Sequence, residues 1–182
     1  GVSEGIIGAA RIIKMLNLHE GQLVVEAKGI YSIEKFLVAR RLMYWQVYLH
    51  KTSVAAERML INILNRAKEL ASQGIELFAT PALHYFLYHK ISLSDFSKST
   101  DVFESFMMLD DADFFSAIKV WMNHEDFVLS LLCKSFINRK LFKVQVGSEA
   151  VDETLQQNAL KRYMQRFNIS LEEAQYLMGD SI

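Results

Sequence analysis

Apolar residues recur at helical spacing along nearly the whole chain, and this pattern limits the fold more than any other feature. The 182 residues include a single proline, Pro81, which fits the first turn of a helix rather than interrupting one. Ser32 stands where an N-cap is preferred, at the start of a long periodic run. The periodic runs predict helices over residues 6–16, 32–50, 53–72, 81–90, 92–96, 101–109, 111–122, 125–138 and 152–167.

Two short runs alternate in the manner of β-strands. GQLVVEA, residues 21–27, is expected to pair with a segment elsewhere or to link two helices. LFKVQV, residues 141–146, precedes a charged helix and a capping box that runs from Ser170 to Glu173. The chain is therefore predicted to be mainly α, with a small α+β extension at its C-terminal end.

The change of pattern after Arg139 suggests a domain boundary. We predict a helical body over residues 1–139 and the start of a small α+β lobe over residues 140–182. The sequence opens without methionine and stops inside an apolar stretch. We therefore expect it to be a piece of a longer polypeptide.

Composition narrows the cellular setting. Hydrophobic residues make up 51% of the chain, as suits a globular core, and 20 basic against 21 acidic residues leave a net charge of −1. Such a balance offers no general field for nucleic acid, so a nucleic-acid partner is not expected. No run reaches the roughly 18–20 apolar residues of a membrane span, and no signal peptide is visible. The single cysteine, Cys133, lies in an apolar run, is interpreted as a core residue and favours a reducing, cytoplasmic location.

One helix places cations and phenols on a single stripe. At about 100° per residue, Arg40, Tyr44, Tyr48 and Lys51 fall within roughly 80° of one another. Three apolar residues lie on or beside the same stripe: Ile33, Phe36 and Val47. A buried charge needs a partner, and a polyphosphate is a suitable one because guanidinium binds phosphate oxygens in pairs. The other interpretation is that the cations extend their stems along the edge of a core-facing helix, with the tyrosines as ordinary core aromatics. Spacing alone leaves both open.

The segment GIYSIEKFLVARRLMYWQVYLHKTSVAAERML, residues 29–60, resembles the long helix pair of the HD-domain deoxynucleoside triphosphate triphosphohydrolases, especially their dGTP-regulated branch. Arg40, followed eight residues later by Tyr48 and then by His50 and Lys51, matches the motif of that family. The resemblance is strongest over residues 1–72, where GVSEGIIGAARIIKML also matches. The resemblance is weaker from residue 73 to Val146, although INRKLF resembles the segment that precedes the C-terminal lobe in that family. The resemblance implies a helical bundle of the HD-phosphohydrolase type.

The resemblance also implies roles for individual residues. Arg40 would contact the substrate triphosphate, Tyr48 would pack against the deoxyribose, and Tyr44 would line the substrate pocket where relatives carry a histidine. Leu49 stands where a glutamine occurs in relatives, so recognition of the base or sugar is expected to differ. An activator nucleotide, held at contacts between subunits of a homo-oligomer in regulated members, would be bound by Arg11, His50 and Lys51.

The chemistry of this family needs a divalent metal ion held by a histidine, a His-Asp pair and a distant aspartate. The dipeptide His-Asp is absent from this sequence. The resemblance places all four ligands upstream of Gly1, so no catalytic residue and no metal ligand is expected within the chain itself. The implied parent protein would be an enzyme that hydrolyses deoxynucleoside triphosphates to nucleoside and tripolyphosphate.

Three further motifs are interpreted as structural. NHEDF, residues 123–127, is assigned to a helix start and not to a metal site, and LDDAD, residues 109–113, to helix capping and not to a calcium loop. HYFLYH, residues 84–89, has histidines five apart, which suits aromatic packing or an interface better than metal binding. Its aromatic character carries the alternative function: a non-catalytic helical module for interaction or oligomerisation.

Overall fold

The computed structural model describes residues 7–144 and 152–179 and confirms the mainly α class. The chain divides into two compact units, residues 1–54 and 55–182. No helix in the described ranges is both long enough and apolar enough to cross a membrane. The cytoplasmic location stays a prediction.

The first unit opens with a short helix and a hairpin. Helix α1, Ala9–Lys14, leads into strand β1, Leu16–His19, which pairs antiparallel with β2, Gln22–Val25. The two-residue turn, Glu20 and Gly21, has φ values of 51° and 76°. Positive φ at both positions is the geometry that matches the twist of a tight hairpin.

The hairpin corrects two expectations. The run over residues 21–27 does not pair with a distant segment and is not a simple connection between two helices. Its partner is the strand immediately before it. The helix predicted over 6–16 ends at Lys14, since Leu16–His19 is used as β1. Residue 6 lies outside the described residues.

A close contact joins the hairpin to the next helix. A 3₁₀ turn, Ala27–Gly29, follows β2, and a Cβ atom at Gly29 would lie 2.9 Å from Cγ1 of Val25 and 3.0 Å from Cβ of Met15. The absent side chain lets the turn approach the base of the hairpin. Helix α2, Ile30–Met43, continues directly from this turn, so the N-cap predicted at Ser32 is wrong.

The second unit contains the core. Its helices pack apolar side chains around Trp121, which is 1% exposed and donates its ring N–H to the carbonyl of Phe78 at 3.0 Å. The helices are α3, Lys51–Ser72 (which begins in the first unit), α4, Pro81–Tyr88, α5, Leu93–Lys98, α6, Thr100–Met107, α7, Asp111–Trp121, α8, Phe127–Ile137, α9, Glu153–Phe167, and α10, Leu171–Gln175. From α3 onward, each predicted helix is confirmed to within two residues at either end.

Local signals account for this accuracy. Pro81 occupies the first turn of α4, and Gly74, with φ 84°, follows the end of α3. Asp126 caps α8, accepting from the N–H of Leu129. Capping boxes open three further helices, at Ser92/Asp95, Asp110/Asp113 and Ser170/Glu173.

The C-terminal region is less regular than expected. The described part of the predicted strand, residues 141–144, is not a strand, and residues 145–146 lie outside the described residues. Leu141 and Phe142 instead pack against the core of the second unit, as does Tyr163, and Leu177 is part of that core. The domain boundary expected between residues 139 and 140 stays a prediction.

One buried cation links three helices of the second unit. Arg66 of α3 is 7% exposed and donates to Asp126 at the start of α8, at 2.6 Å, and to Glu69, at 2.7 Å. A longer contact of 3.3 Å reaches Glu173 of α10. Burial alone would lower the pKa of Arg66, but its hydrogen bonds to Asp126 and Glu69 raise it above its ordinary value. The guanidinium is therefore charged throughout the working pH range.

Further polar contacts hold the segment after α9. The side-chain amide of Asn62, one turn before Arg66, donates to the carbonyls of Tyr176 and Met178, each at 2.8 Å. The Tyr176 hydroxyl donates to Glu69 at 3.0 Å. Helix α3 thus has one polar stripe for this segment beside an apolar stripe for the core.

Replacing Asp126 by asparagine should destabilise the protein. Arg66 would lose its shortest ionic contact in a buried position, and we expect the free energy of unfolding to fall by about 1–3 kcal/mol in urea titrations. Glu172→Gln is the matched control, since Glu172 is exposed on α10. Its effect should stay within about 0.5 kcal/mol.

The pH dependence should differ between wild type and Asp126→Asn. Burial alone would raise the pKa of the Asp126 carboxyl, but the Arg66 and Leu129 hydrogen bonds outweigh it and hold the pKa below its ordinary value. Its contribution is therefore present above the unfolded pKa of about 3.9 and is lost as the pH falls through the lower folded pKa. Wild type should lose more stability on acidification through this window than Asp126→Asn, and equal losses would contradict the assignment.

Candidate ligand-binding site

The helix expected over residues 32–50 changes geometry before it ends. Tyr44–Tyr48 form a π-helical turn, in which the N–H of Leu49 donates to the carbonyl of Tyr44 at 2.7 Å. The segment is rich in aromatic and β-branched side chains, which crowd an α-helix. Turns of this kind are frequent at functional sites.

The π turn changes the predicted stripe. Along an α-helix, four residues turn through about 400°, so Tyr48 would lie about 40° beyond Tyr44. A turn closed by an i to i+5 hydrogen bond is wider, and each residue advances by a smaller angle. Tyr48 consequently returns towards the side of the helix that carries Arg40.

Three of the predicted site residues line one cavity of the first unit. The cavity measures about 300 Å³ and is lined by Ile7, Phe36, Ala39, Arg40, Met43, Tyr44 and Tyr48. The guanidinium carbon of Arg40 lies 5.5 Å from the ring centroid of Tyr44, within cation–π range. The Tyr44 and Tyr48 rings meet edge to face, with centroids 5.3 Å apart. A cation and two aromatic rings thus border an apolar floor.

The site is open to solvent. Tyr44 is 44% exposed, Tyr48 is 57% exposed, and Arg40 is also exposed. Arg40, Tyr44 and Tyr48 are therefore not buried groups that need a partner, and that expectation is wrong. The alternative that the two tyrosines belong to the core is also wrong. Within residues 7–144 and 152–179, Arg40 has no carboxylate partner. Its guanidinium is available to an anion.

The residues expected to bind an activator lie outside this cavity lining. Arg11 is on α1, Lys51 begins α3, and both are exposed. His50 precedes α3, and its Nδ1 accepts the N–H of Thr52 at 3.2 Å, a local helix-start contact. Of the predicted stripe of four, Arg40, Tyr44 and Tyr48 line the cavity and Lys51 does not. The roles of these residues stay predictions.

The apolar floor was largely missed by sequence reasoning. Phe36 was noted beside the stripe, but Ala39 and Met43 were not. Residues 36, 39 and 43 lie three and four residues apart, which is the pattern of one helix face. That spacing was the signal from which the floor was predictable.

The other candidate motifs make local stacking and capping contacts. His84 stacks on Tyr88 with centroids 4.4 Å apart, and His89 stacks on Tyr85 at 4.8 Å. In NHEDF, Nδ1 of His124 accepts the N–H of Asp126 at 2.9 Å. The acids of LDDAD cap α7.

A metal centre needs ligands that this part of the chain does not bring together. In residues 7–144 and 152–179, no group of three or more His, Cys, Asp or Glu side chains is arranged to hold an ion. The described residues therefore do not fit the divalent ion implied by the resemblance, and no reaction step is assigned to an ion here.

A known family matches most of the first unit and continues through α3. Residues 7–79 match the HD associated region. The match covers α1, the hairpin, α2, the π turn and α3, and so includes every residue of the cavity. This is the part of the chain in which the resemblance to HD-domain enzymes is strongest.

Known structures and relatives extend this finding. The chain is similar to the crystal structure of a phosphohydrolase, BT4208 from Bacteroides thetaiotaomicron, with 58% identity, a TM-score of 0.91 and coverage of 97% of this chain and 44% of that one. It is 35% identical to the uncharacterized protein YwfO of Bacillus subtilis over 144 residues, and 26% identical to the uncharacterized protein MG461 of Mycoplasma genitalium over 159 residues. The chain spans 31% and 35% of the lengths of these two relatives. The family match and the solved structure both support a relation to HD-type phosphohydrolases.

Cys133 should be chemically silent in the native protein. Its side chain is fully buried in α8, and burial raises the pKa of its thiol to about 12. Reaction with a thiol-specific reagent at pH 8 should give less than a tenth of an equivalent before unfolding, and one equivalent in denaturant, because the thiolate is the reactive form. Rapid modification of the folded protein would contradict the core assignment.

Proposed function

We propose that this chain supplies the substrate-binding wall of an HD-type phosphohydrolase that hydrolyses deoxynucleoside triphosphates to nucleoside and tripolyphosphate. The observation that carries the proposal is the cavity in which Arg40 lies beside the Tyr44–Tyr48 pair. The phosphohydrolase named for the 58% identical structure supports the reaction class. The match to the HD associated region supports the same class.

Each wall of the cavity suits one part of such a substrate. Guanidinium makes bidentate, charge-assisted hydrogen bonds with phosphate oxygens, and Arg40 has no competing carboxylate among the described residues. Aromatic faces pack well against a sugar or base, and the hydroxyls of Tyr44 and Tyr48 can donate hydrogen bonds. The apolar floor around Phe36 and Met43 excludes water from one side of the ligand.

The complete site needs groups beyond this chain. In the proposal, residues outside this chain would hold a divalent metal ion, whose chemistry would be the activation of water, while Arg40 neutralises charge that develops on the phosphates. Arg11, His50 and Lys51 are proposed to hold an activator nucleotide in a homo-oligomer. All three are exposed, which is compatible with binding to a second molecule.

Substitutions should separate the two halves of the ligand. In the natural full-length protein, Arg40→Ala should weaken binding of both tripolyphosphate and deoxynucleoside triphosphate by about tenfold to a hundredfold, the equivalent of a lost hydrogen bond to a charged group. Tyr48→Ala should weaken nucleotide binding but leave tripolyphosphate binding nearly unchanged. Isothermal titration calorimetry measures both, with helicity checked by circular dichroism.

Arg41→Ala is the matched control, because Arg41 is also exposed on α2 but does not line the cavity. It should bind both ligands like wild type. An equal loss in Arg40→Ala and Arg41→Ala would indicate only a general charge effect. A full-length wild-type protein that binds no nucleotide would overturn the proposal.

A further inference from the structure

Helix α6 exposes most of its apolar side chains. Val102 is its buried residue, whereas Phe103 and Phe106 are each 53% exposed and Met107 is 66% exposed. Met108, which follows the helix, is 74% exposed. Around the helix axis, residues 103, 104, 107 and 108 form one continuous arc opposite Val102. Phenylalanine and methionine are typical of protein-binding surfaces.

Carboxylates surround this surface. Asp101 and Glu104 lie on the exposed side of α6, and Asp110 and Asp111 follow at the start of α7. In the part of the chain that the structure describes, none of the four has a basic partner within ion-pair distance. We call the surface formed by Asp101, Phe103, Glu104, Met107 and Met108 the acidic patch.

Helix α9 presents the opposite character. Leu155, Arg162 and Arg166 lie within about 40° of one another along the helix, and all three are exposed. They line a groove of about 320 Å³ together with Asn158, Ala159 and Tyr163. Neither arginine has a carboxylate partner among the described residues, although Arg166 lies over the ring of Phe167 at 5.3 Å. We call Leu155, Arg162 and Arg166 the basic ridge.

The basic ridge is unfavourable in isolation. Arg162 and Arg166 are four residues apart, a spacing at which like charges repel on a helix. The residues four positions before them are Asn158 and Arg162, so neither arginine has the preceding acid that would relieve this repulsion. Arg166 lies in the last turn of α9, where the helix dipole stabilises a positive charge. This stabilisation does not account for the exposed positions of Arg162 and Leu155.

We propose that the basic ridge of one copy docks on the acidic patch of a second copy of this protein. The two surfaces are complementary in charge, and each contains exposed apolar side chains, Leu155 in the ridge and Met107 in the patch. Both belong to the second unit, yet both are exposed, so they do not cover each other within one chain. A second copy of the protein carries the complementary surface for each of them.

Such a contact has two ways to close. Two copies that exchange ridge and patch reciprocally form a dimer with a two-fold axis, and head-to-tail copies form a ring. The charges would select the register, and the phenylalanine and methionine side chains would supply the buried apolar area. The inference assigns surfaces to the proposed homo-oligomer and needs neither nucleotide nor catalysis.

Charge reversal and its rescue test the inference. The full-length protein without nucleotide should be oligomeric at micromolar concentration in size-exclusion chromatography with light scattering. Arg162→Glu/Arg166→Glu and Asp101→Lys/Glu104→Lys should each raise the dissociation constant by about a hundredfold or more, because like charges then face each other. The protein that carries all four changes should regain the wild-type mass, since the opposite charges meet again.

Lys161→Glu is the control, because Lys161 is exposed on α9 about 100° away from Arg162. It should leave the mass unchanged. A monomeric wild type would overturn the inference, as would charge reversals that leave the oligomer intact or a fourfold variant without rescue. Loss of tripolyphosphate binding in Arg162→Glu/Arg166→Glu with an unchanged mass would instead assign the ridge to a small anion.

Discussion

The second unit depends on a positive charge that is almost removed from water. Arg66 is stabilised there because Asp126 and Glu69 accept from it at short distance and Glu173 lies close by. The same carboxylate of Asp126 also caps α8, so one group fixes both the start of a helix and its distance from α3. Breaking a pair of this kind costs more than the pair contributes, since it leaves an uncompensated charge behind. The arrangement therefore selects one position for α8 and α10 relative to α3, while the apolar core around Trp121 supplies the driving force.

Most of the second unit was predictable because its signals are local. Proline at the start of α4, glycine after α3 and three capping boxes fix helix ends with side chains only a few residues away. The hairpin was not predicted, because Leu16–His19 is short and apolar enough to suit either a helix end or a strand. Its partner run was correctly taken as β-like, but the Glu20–Gly21 turn that connects them was not recognised. The π turn was not predicted either, since Tyr44–Tyr48 contains no glycine or proline to indicate a change of helix geometry.

The candidate site shows where spacing is informative and where it is not. Residue spacing placed Arg40, Tyr44 and Tyr48 on one side of the predicted helix, and the three line one cavity. The same spacing said nothing reliable about exposure, which depends on what the rest of the molecule places against the helix. The expected burial of the stripe was therefore wrong, and Lys51 does not line the cavity. The family and structural comparisons support the reaction class.

The sparse burial of the first unit also has a thermodynamic consequence. Among described residues 7–50, the buried ones are Gly29 and Ala39, neither of which has a large side chain. Unfolding this segment would expose little additional apolar surface, so its contribution to the heat capacity change and to the denaturant m-value is small. We expect the amides that resist hydrogen exchange longest to lie instead in helices such as α3 and α8, which line the core. The residues proposed to bind nucleotide thus lie in the part of the chain that buries the fewest of its described side chains.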